Sequence, residues 1–64
     1  MAARADSPAA LPALATPAEV AAYIRKSPKT LANWRSRGLG PRWRKAGHSV
    51  LYRRADVERW LDQT

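Results

Sequence analysis

Apolar residues recur at two different spacings along the chain, and the change of spacing marks its elements. Helical spacing holds in three segments, around residues 20–24, 31–34 and 57–61. Between the second and third of these, residues 42–45 and 50–53 alternate between apolar and polar side chains. Spacings of three and four residues predict amphipathic helices, and a period of two predicts strands. The pattern therefore predicts a mainly α fold with a small β-hairpin, in the order helix, helix, hairpin, helix.

The first predicted helix begins with a capping box. Thr16 has the position of the N-cap, Pro17 that of the first helical residue, and Glu19 can reach back to the cap. The helix is expected to run to about Arg25 and to bury three side chains, Val20, Tyr23 and Ile24. Ala21 on the same helix is small enough to allow close approach of a neighbouring helix.

The second predicted helix has signals at both ends and two distinct faces. Ser27 is a suitable N-cap, Pro28 fits the first helical position, and Gly38 suits the left-handed residue that ends a helix. Leu31 and Trp34 form a narrow apolar stripe. The opposite face carries basic and polar groups without any acid: Lys29, Asn33, Ser36 and Arg37. A helix with these two faces is suited to the major groove of DNA.

Two short helices separated only by residues 25–27 form the helix-turn-helix arrangement, although this spacing alone also fits any helical hairpin.

Residues 39–41 then end helical structure. The following hairpin, residues 42–53, turns around residues 46–49, and we name it the wing. Alternation places Trp43, Val50 and Tyr52 on its buried face and Arg44, Leu51 and Arg53 outside. A hairpin of this length must pack on the helices to be stable.

The third predicted helix runs from Asp56 to about Asp62. Asp56 and Glu58 in its first turn complement the positive end of the helix dipole. Its inward stripe consists of Val57, Trp60 and Leu61. Because the chain has so few large apolar residues, we expect all three tryptophans to be buried in the core: Trp34, Trp43 and Trp60.

Length and composition limit the chain to one small domain. Its 64 residues include no cysteine, so neither a disulfide nor a cysteine-ligated metal can support the core. Residues 1–14, rich in alanine and proline, are predicted to form a flexible arm, and residues 15–64 the domain. The first 15 residues contain no continuous apolar run. We therefore predict neither a signal peptide nor a membrane span, and we expect a cytoplasmic protein.

The net charge of +7 is concentrated in the middle of the chain. From Arg25 to Arg54 there are ten lysines or arginines and no acidic residue. A basic block of this kind suits the binding of nucleic acid. His48 is the single histidine, no residues form a recognisable catalytic triad, and no glycine-rich phosphate loop is present. We therefore predict no catalytic site, no metal site and no cofactor.

Three segments together resemble a known family: TPAEVAAYI, SPKTLANWRSRGLGPRW and GHSVLYRRADVERWL. From Thr16 to Leu61 the chain resembles the excisionase-like branch of the small winged helix-turn-helix proteins, which is related to the MerR regulators. The resemblance implies that the second helix reads double-stranded DNA in the major groove and that the wing contacts the adjacent minor groove or its phosphates. It also implies an integrase as partner and no catalysis by the protein itself.

Four positions depart from the family pattern. Arg25 and Lys26 stand in the turn between the helices, where the family usually has glycine and an aliphatic residue. The loss of glycine is expected to lengthen the first helix or reshape the turn. Ala55 stands where serine often caps the third helix, so a weaker start is expected there. Leu51 occupies an outward position where the family often has arginine, which leaves a partner contact or a tolerated apolar residue as alternatives.

We expect DNA contacts from two groups of residues. On the second helix these are Ser27, Lys29, Thr30, Asn33, Ser36 and Arg37. On the wing and in the turn before the second helix they are Arg25, Lys26, Arg42, Arg44, Lys45, His48 and Arg53. Asn33 can pair with adenine and Arg37 with guanine, although Arg37, near the end of its helix, is equally suited to a phosphate. Arg54 and Arg59 are expected to have structural roles.

Three functions are compatible with these features. The first is a recombination directionality factor that binds and bends attachment-site DNA so that a phage or mobile-element integrase favours excision. The second is a small transcriptional regulator, which would use the same DNA-binding surface. The third is a protein–protein adaptor on a winged-helix scaffold, for which Leu51 and the apolar N-terminal arm are the only support. One protomer has little surface for specificity, so several copies side by side on DNA, or a dimer, are expected.

Overall fold

The structure, a computed structural model, describes residues 11–64. The elements follow in the order β1 (Leu14–Ala15), α1 (Pro17–Ile24), α2 (Pro28–Arg37), β2 (Arg44–Ala46), β3 (Ser49–Arg53) and α3 (Arg54–Asp62). The strands form one antiparallel sheet in the order β1-β3-β2. Strands β2 and β3 are the predicted hairpin. The predicted fold, a winged helix-turn-helix with helix, helix, hairpin and helix in this order, is confirmed.

Both helices of the predicted pair are capped as expected. The Thr16 amide donates to Glu19 Oε1 at 2.9 Å, and the Glu19 amide donates to Thr16 Oγ1 at 3.2 Å, which completes the capping box of α1. At the start of α2, the Thr30 amide donates to Ser27 Oγ at 3.1 Å. Helix α2 ends where Gly38 takes up the left-handed conformation with φ 71°. These ends fix the length and direction of both helices.

The turn between α1 and α2 keeps a left-handed residue although it lacks glycine. Arg25 has φ 64° and is the C-cap of α1. Its neighbour Lys26 donates its amide to the carbonyl of Ala21 at 2.8 Å, which closes the end of the helix. The expectation that the turn would lengthen α1 or change shape is therefore wrong. The arginine adopts the backbone conformation that a glycine would otherwise supply, and an L side chain is strained in this conformation.

Replacing Arg25 with glycine is expected to raise the free energy of unfolding by about 0.5–1 kcal/mol, because relief of the left-handed strain exceeds the added entropy of the unfolded chain. Urea unfolding monitored by circular dichroism measures this. Lys26→Gly is the matched control, since it removes the same charge from the next residue, which does not have a positive φ. A loss of stability in Arg25→Gly equal to that in Lys26→Gly would contradict the explanation.

The core lies between the sheet and the three helices. Its fully buried side chains come from β1, β3 and all three helices, together with one residue that precedes β1: Leu11, Ala15, Val20, Ala21, Leu31, Tyr52 and Val57. Four half-buried side chains pack against them: Tyr23, Ile24, Trp34 and Val50. Of the three α1 side chains expected to be buried, Val20 is fully buried, whereas Tyr23 and Ile24 are half-buried against the core. Helices α1 and α2 approach closely where Ala21 has only 1% of its surface exposed.

Residues 11–14 belong to the domain, so the prediction that they form part of a flexible arm is wrong. Leu11 is 4% exposed, and Leu14 pairs with Arg53 in the sheet. The Arg54 amide donates to the carbonyl of Ala13 at 2.9 Å, and Arg54 Nη1 donates to the carbonyl of Leu11 at 3.0 Å. Arg54 therefore has a structural role, as predicted. The remainder of the predicted arm, residues 1–10, lies outside the described residues.

The predicted core is too large at two positions. Trp43 is 38% exposed and Leu61 is 39% exposed, so neither is buried as expected. Trp60 is half-buried against Trp34, with ring centroids 5.4 Å apart and ring planes inclined by 50°. The helices cover the end of the hairpin that carries Tyr52, but not the start of the wing. Trp43 therefore lies on the same face of the wing as Tyr52, but unlike Tyr52 it is not buried.

Helix α3 begins two residues earlier than predicted. Arg53 is its N-cap and supplies no side-chain hydrogen bond to the helix terminus. Ala55 accordingly lies inside the helix and is not the cap, which corrects the expectation drawn from the family pattern. Strand β3 continues directly into α3, and the carbonyl of Ala13 accepts the free amide of Arg54 at the start of the helix. The backbone of the segment before β1 thus replaces a capping side chain.

Candidate nucleic-acid interface

One face of α2 is exposed to solvent and carries most of the predicted base-reading residues. Lys29, Asn33, Ser36 and Arg37 are all exposed, whereas Leu31 on the opposite face is fully buried. Ser36 Oγ donates to the backbone carbonyl of Asn33 at 3.0 Å. The side-chain amide of Asn33 makes no hydrogen bond to any of the residues 11–64. It therefore keeps both its donor and its acceptor for an external partner.

The hydroxyl groups at the N-terminus of α2 are already engaged within the protein. Ser27 Oγ accepts the Thr30 amide at 3.1 Å and lies 3.0 Å from Thr30 Oγ1. Thr30 is half-buried, in contrast to the rest of the predicted contact set on this helix. Arg25 and Lys26 are exposed in the turn just before this end of the helix. The cations of the turn are thus more accessible to a phosphate than the two hydroxyls are.

The cations of the wing are divided between its two faces. Arg44 pairs with Leu51, and Lys45 pairs with Val50. Directly paired residues share a face, so Lys45 lies on the side of the hairpin where Val50 packs against the core, and Arg44 lies on the other side. Leu51 shares the outer face with Arg44, as predicted, but it is half-buried. A hairpin that lies in a groove has a phosphate strand on each side, so each cation can reach one of them.

The other predicted wing residues lie at different distances from the tip. His48 is exposed in the turn between β2 and β3, at the tip itself. Arg53 lies at the opposite end of β3, where it pairs with Leu14 of β1. Arg42 is exposed in the segment that connects α2 to β2. The structure therefore brings His48, Arg44 and Lys45 together near the tip and separates Arg53 from them.

Arg35 is a further residue that links the two parts of the candidate interface, and the sequence reasoning missed it. Its Nη1 donates to Tyr52 Oη at 2.9 Å, and its Cζ lies 5.9 Å from the centroid of the Trp43 ring. A signal for this position existed, because Arg35 follows Leu31 by four residues and so lies on the buried side of the helix. The arginine at this position points towards the wing instead of solvent.

The comparison of the chain with known protein families agrees with this geometry. The sequence profile of the helix-turn-helix domain family matches residues 16–64, from the capping box of α1 to the end of the chain. The chain belongs to the helix-turn-helix domain family. Helix α2 is the second helix of the motif, the one that lies in the major groove of DNA in this class of domain. No curated protein and no solved structure matches the chain.

Charge in this helix-turn-helix protein is separated between two regions. Most basic residues from Arg25 onwards lie in the turn, α2 and the wing, with Arg54 and Arg59 on α3, whereas Glu19 lies on α1 and the remaining acids of the described part lie on α3. Tyr23 Oη donates to Glu58 Oε2 at 3.0 Å and so ties α1 to α3. This hydrogen bond, together with burial and the negative charge of Glu58, raises the pKa of Tyr23 above its ordinary value. The Glu58 carboxylate is thus held between α1 and α3.

Two kinds of site are absent from the described part of this helix-turn-helix protein. Residues 11–64 contain no cluster of three histidine, aspartate or glutamate side chains that could hold a metal ion. Within the same residues, no helix is long and apolar enough to cross a membrane.

Proposed function

We propose that this helix-turn-helix protein binds double-stranded DNA in a sequence-specific manner, with α2 in the major groove and the wing at the adjacent minor groove. The observation that carries the proposal is the exposed face of α2, a helix without acidic residues, where the side-chain amide of Asn33 lies between Lys29 and Arg37 and forms no hydrogen bond with any of the residues 11–64. An amide in this position can form two hydrogen bonds with adenine. Lys29 and Arg37 beside it attract DNA phosphates, and these contacts fix the position of α2 along the duplex.

The proposed contacts divide into base reading and phosphate binding. Asn33 reads a base, and Arg37 reads a guanine or holds a phosphate, with Lys29, Thr30 and Ser36 as further contacts on α2. Ser27 contacts a phosphate at the N-terminus of α2, where its hydroxyl donates to the phosphate while its oxygen accepts the Thr30 amide. The phosphate contacts of the turn and wing come from Arg25, Lys26, Arg42, Arg44, Lys45, His48 and Arg53. This division gives specificity to α2 and affinity to both elements.

Substitutions at Asn33 and Arg44 are expected to have different effects. Asn33→Ala should relax the preference at one base pair, at a cost of about 1–3 kcal/mol of discrimination, because the bidentate contact is lost. Arg44→Ala should weaken binding to every sequence and reduce the slope of log K against log salt by about one. Fluorescence anisotropy with a selected duplex and a scrambled one, over a range of salt concentrations, separates the two effects. Equal losses on both duplexes for both variants would refute this division.

The biological role that we propose is that of a recombination directionality factor. Its supports are the segment from Thr16 to Leu61 that resembles excisionase-like proteins and the lack of catalytic groups. In this role the protein acts in the cytoplasm, bends attachment-site DNA and directs an integrase towards excision. A single α2 and a single wing offer little surface, so several copies bind side by side, or the protein binds as a dimer.

Two experiments test these proposals at different levels. Selection of bound duplexes from random DNA tests sequence reading, and the absence of any enriched motif would reject it in favour of an adaptor function. The ratio of excision to integration products, measured with a cognate integrase and with or without the protein, tests the directionality role. An enriched motif combined with an unchanged product ratio would leave a transcriptional regulator as the function.

A further inference from the structure

The side chain of Arg35 connects α2 to both strands of the wing. Its Nη1 donates to the hydroxyl of Tyr52, which lies in β3 and is 1% exposed. Its guanidinium also lies over the ring of Trp43, the residue just before β2, with Cζ 5.9 Å from the ring centroid. Arg35 itself is half-buried. One side chain of α2 therefore contacts the residue that precedes β2 and a residue near the end of β3.

The chemistry of this contact is specific to arginine. A guanidinium is planar and rigid, so it can donate in its plane to a hydroxyl while its face lies against an aromatic ring. A lysine ammonium has the same charge, but it is a point charge on a flexible stem and cannot hold both partners in a fixed geometry. The buried Tyr52 hydroxyl also needs a partner, since an unsatisfied buried polar group is costly. The arrangement therefore fixes the position of the wing relative to α2.

We propose that Arg35 is a positioning residue for DNA binding, which holds α2 and the wing in the relative orientation that lets both contact one duplex at the same time. This inference rests on the proposed DNA-binding function. Arg35 acts through the wing and is not itself a base-reading residue, because its guanidinium is directed to Tyr52 and Trp43. If Arg35 positions the wing, the effect of substituting a wing residue must depend on whether Arg35 is present. The phosphate contacts of the wing, such as that of Lys45, contribute fully only when Arg35 is present.

The first test compares Arg35→Lys with Arg37→Lys in binding to the selected duplex at several salt concentrations. Both changes keep the charge and both lie on α2, but Arg37 is exposed, and within residues 11–64 it has neither a side-chain hydrogen bond nor a cation–π contact with the wing. Arg35→Lys is expected to weaken binding to all duplexes about tenfold and to lower the salt slope, while the base preference at the Asn33 position is retained. Arg37→Lys can change the preference at its own base pair or phosphate, but Lys45→Ala should still lower the salt slope by about one in this background, because the wing remains in place.

The second test is a double-mutant cycle between Arg35→Lys and Lys45→Ala. In the wild-type background, Lys45→Ala should reduce the salt slope by about one, corresponding to one phosphate contact. In the Arg35→Lys background the same change should have little further effect, because the wing no longer engages the duplex. Additive effects of the two substitutions on affinity and slope would overturn the proposal.

Hydrogen exchange of the free protein separates this inference from the proposed function. Arg35→Lys is expected to speed up amide exchange in β2 and β3 while the amides of α1 stay protected, and unchanged exchange in the wing would overturn the positioning role. If Arg35→Lys does not fold, Tyr52→Phe takes its place, since it removes only the hydroxyl that Arg35 contacts. Wing loosening without any preferred duplex for the wild type would reject sequence-specific DNA binding but not the coupling of the wing to α2.

Discussion

Replacing Trp34 with alanine is expected to unfold most of the protein at room temperature. The Trp34 ring packs on Trp60 at a centroid distance of 5.4 Å, and it also contacts the segment after α2. A Cβ added at Gly40 would come within 2.7 Å of Trp34 Cε3, which shows how closely the backbone of this segment lies against the ring. Truncation of a packed tryptophan costs about 3–5 kcal/mol, comparable to what a core of this size supplies.

The matched control for this prediction is Trp43→Ala. It removes the same kind of side chain, but Trp43 is 38% exposed, and its ring lies 5.9 Å from Cζ of Arg35. We expect this variant to remain folded and to lose about 1 kcal/mol, in the range of an exposed cation–π contact. Far-ultraviolet circular dichroism and urea titration compare the two proteins. A Trp34→Ala variant with the same unfolding midpoint as Trp43→Ala would show that the cluster of Trp34, Trp60 and Gly40 is not required for folding.

The ends of the helices could be predicted from the sequence because their determinants are local. The capping box of α1 involves Thr16 and Glu19, three residues apart, and the cap of α2 involves Ser27 and Thr30 at the same spacing. Gly38 ends α2 by its own backbone conformation. Each of these signals is complete within one helical turn, so no knowledge of the tertiary structure is needed to recognise it.

The link between α2 and the wing could not be predicted in this way. Arg35 and Tyr52 are 17 residues apart, and their contact depends on how the hairpin packs on the helices. The alternation of the wing correctly assigned Trp43 and Tyr52 to one face. It did not show that the helices cover only the Tyr52 end, since a period of two identifies a face but not how far that face is covered.

Charge along the sequence was likewise an incomplete guide to the interface. Two arginines of the acid-free block are used inside the protein, because Arg35 donates to Tyr52 and Arg54 donates to the carbonyl of Leu11. Arg44 and Lys45 are neighbours in the chain but lie on opposite faces of the hairpin. The number of cations in the block therefore overstates the number free to contact DNA, since Arg35 and Arg54 are engaged within the protein, and it does not show which face each cation occupies.

Replacing Leu11 with alanine is expected to lower the free energy of unfolding by about 2–4 kcal/mol, a large share of the stability of so small a domain. Leu11 precedes the family match, and composition alone assigned it to a flexible arm, yet it is 4% exposed. Its backbone carbonyl can still accept from Arg54 Nη1 in the variant, so the loss measures side-chain packing. Leu14→Ala is the matched control, because Leu14 is 57% exposed and its loss should stay within about 0.5 kcal/mol. Equal urea midpoints for the two variants would mean that the segment before β1 adds nothing to the core.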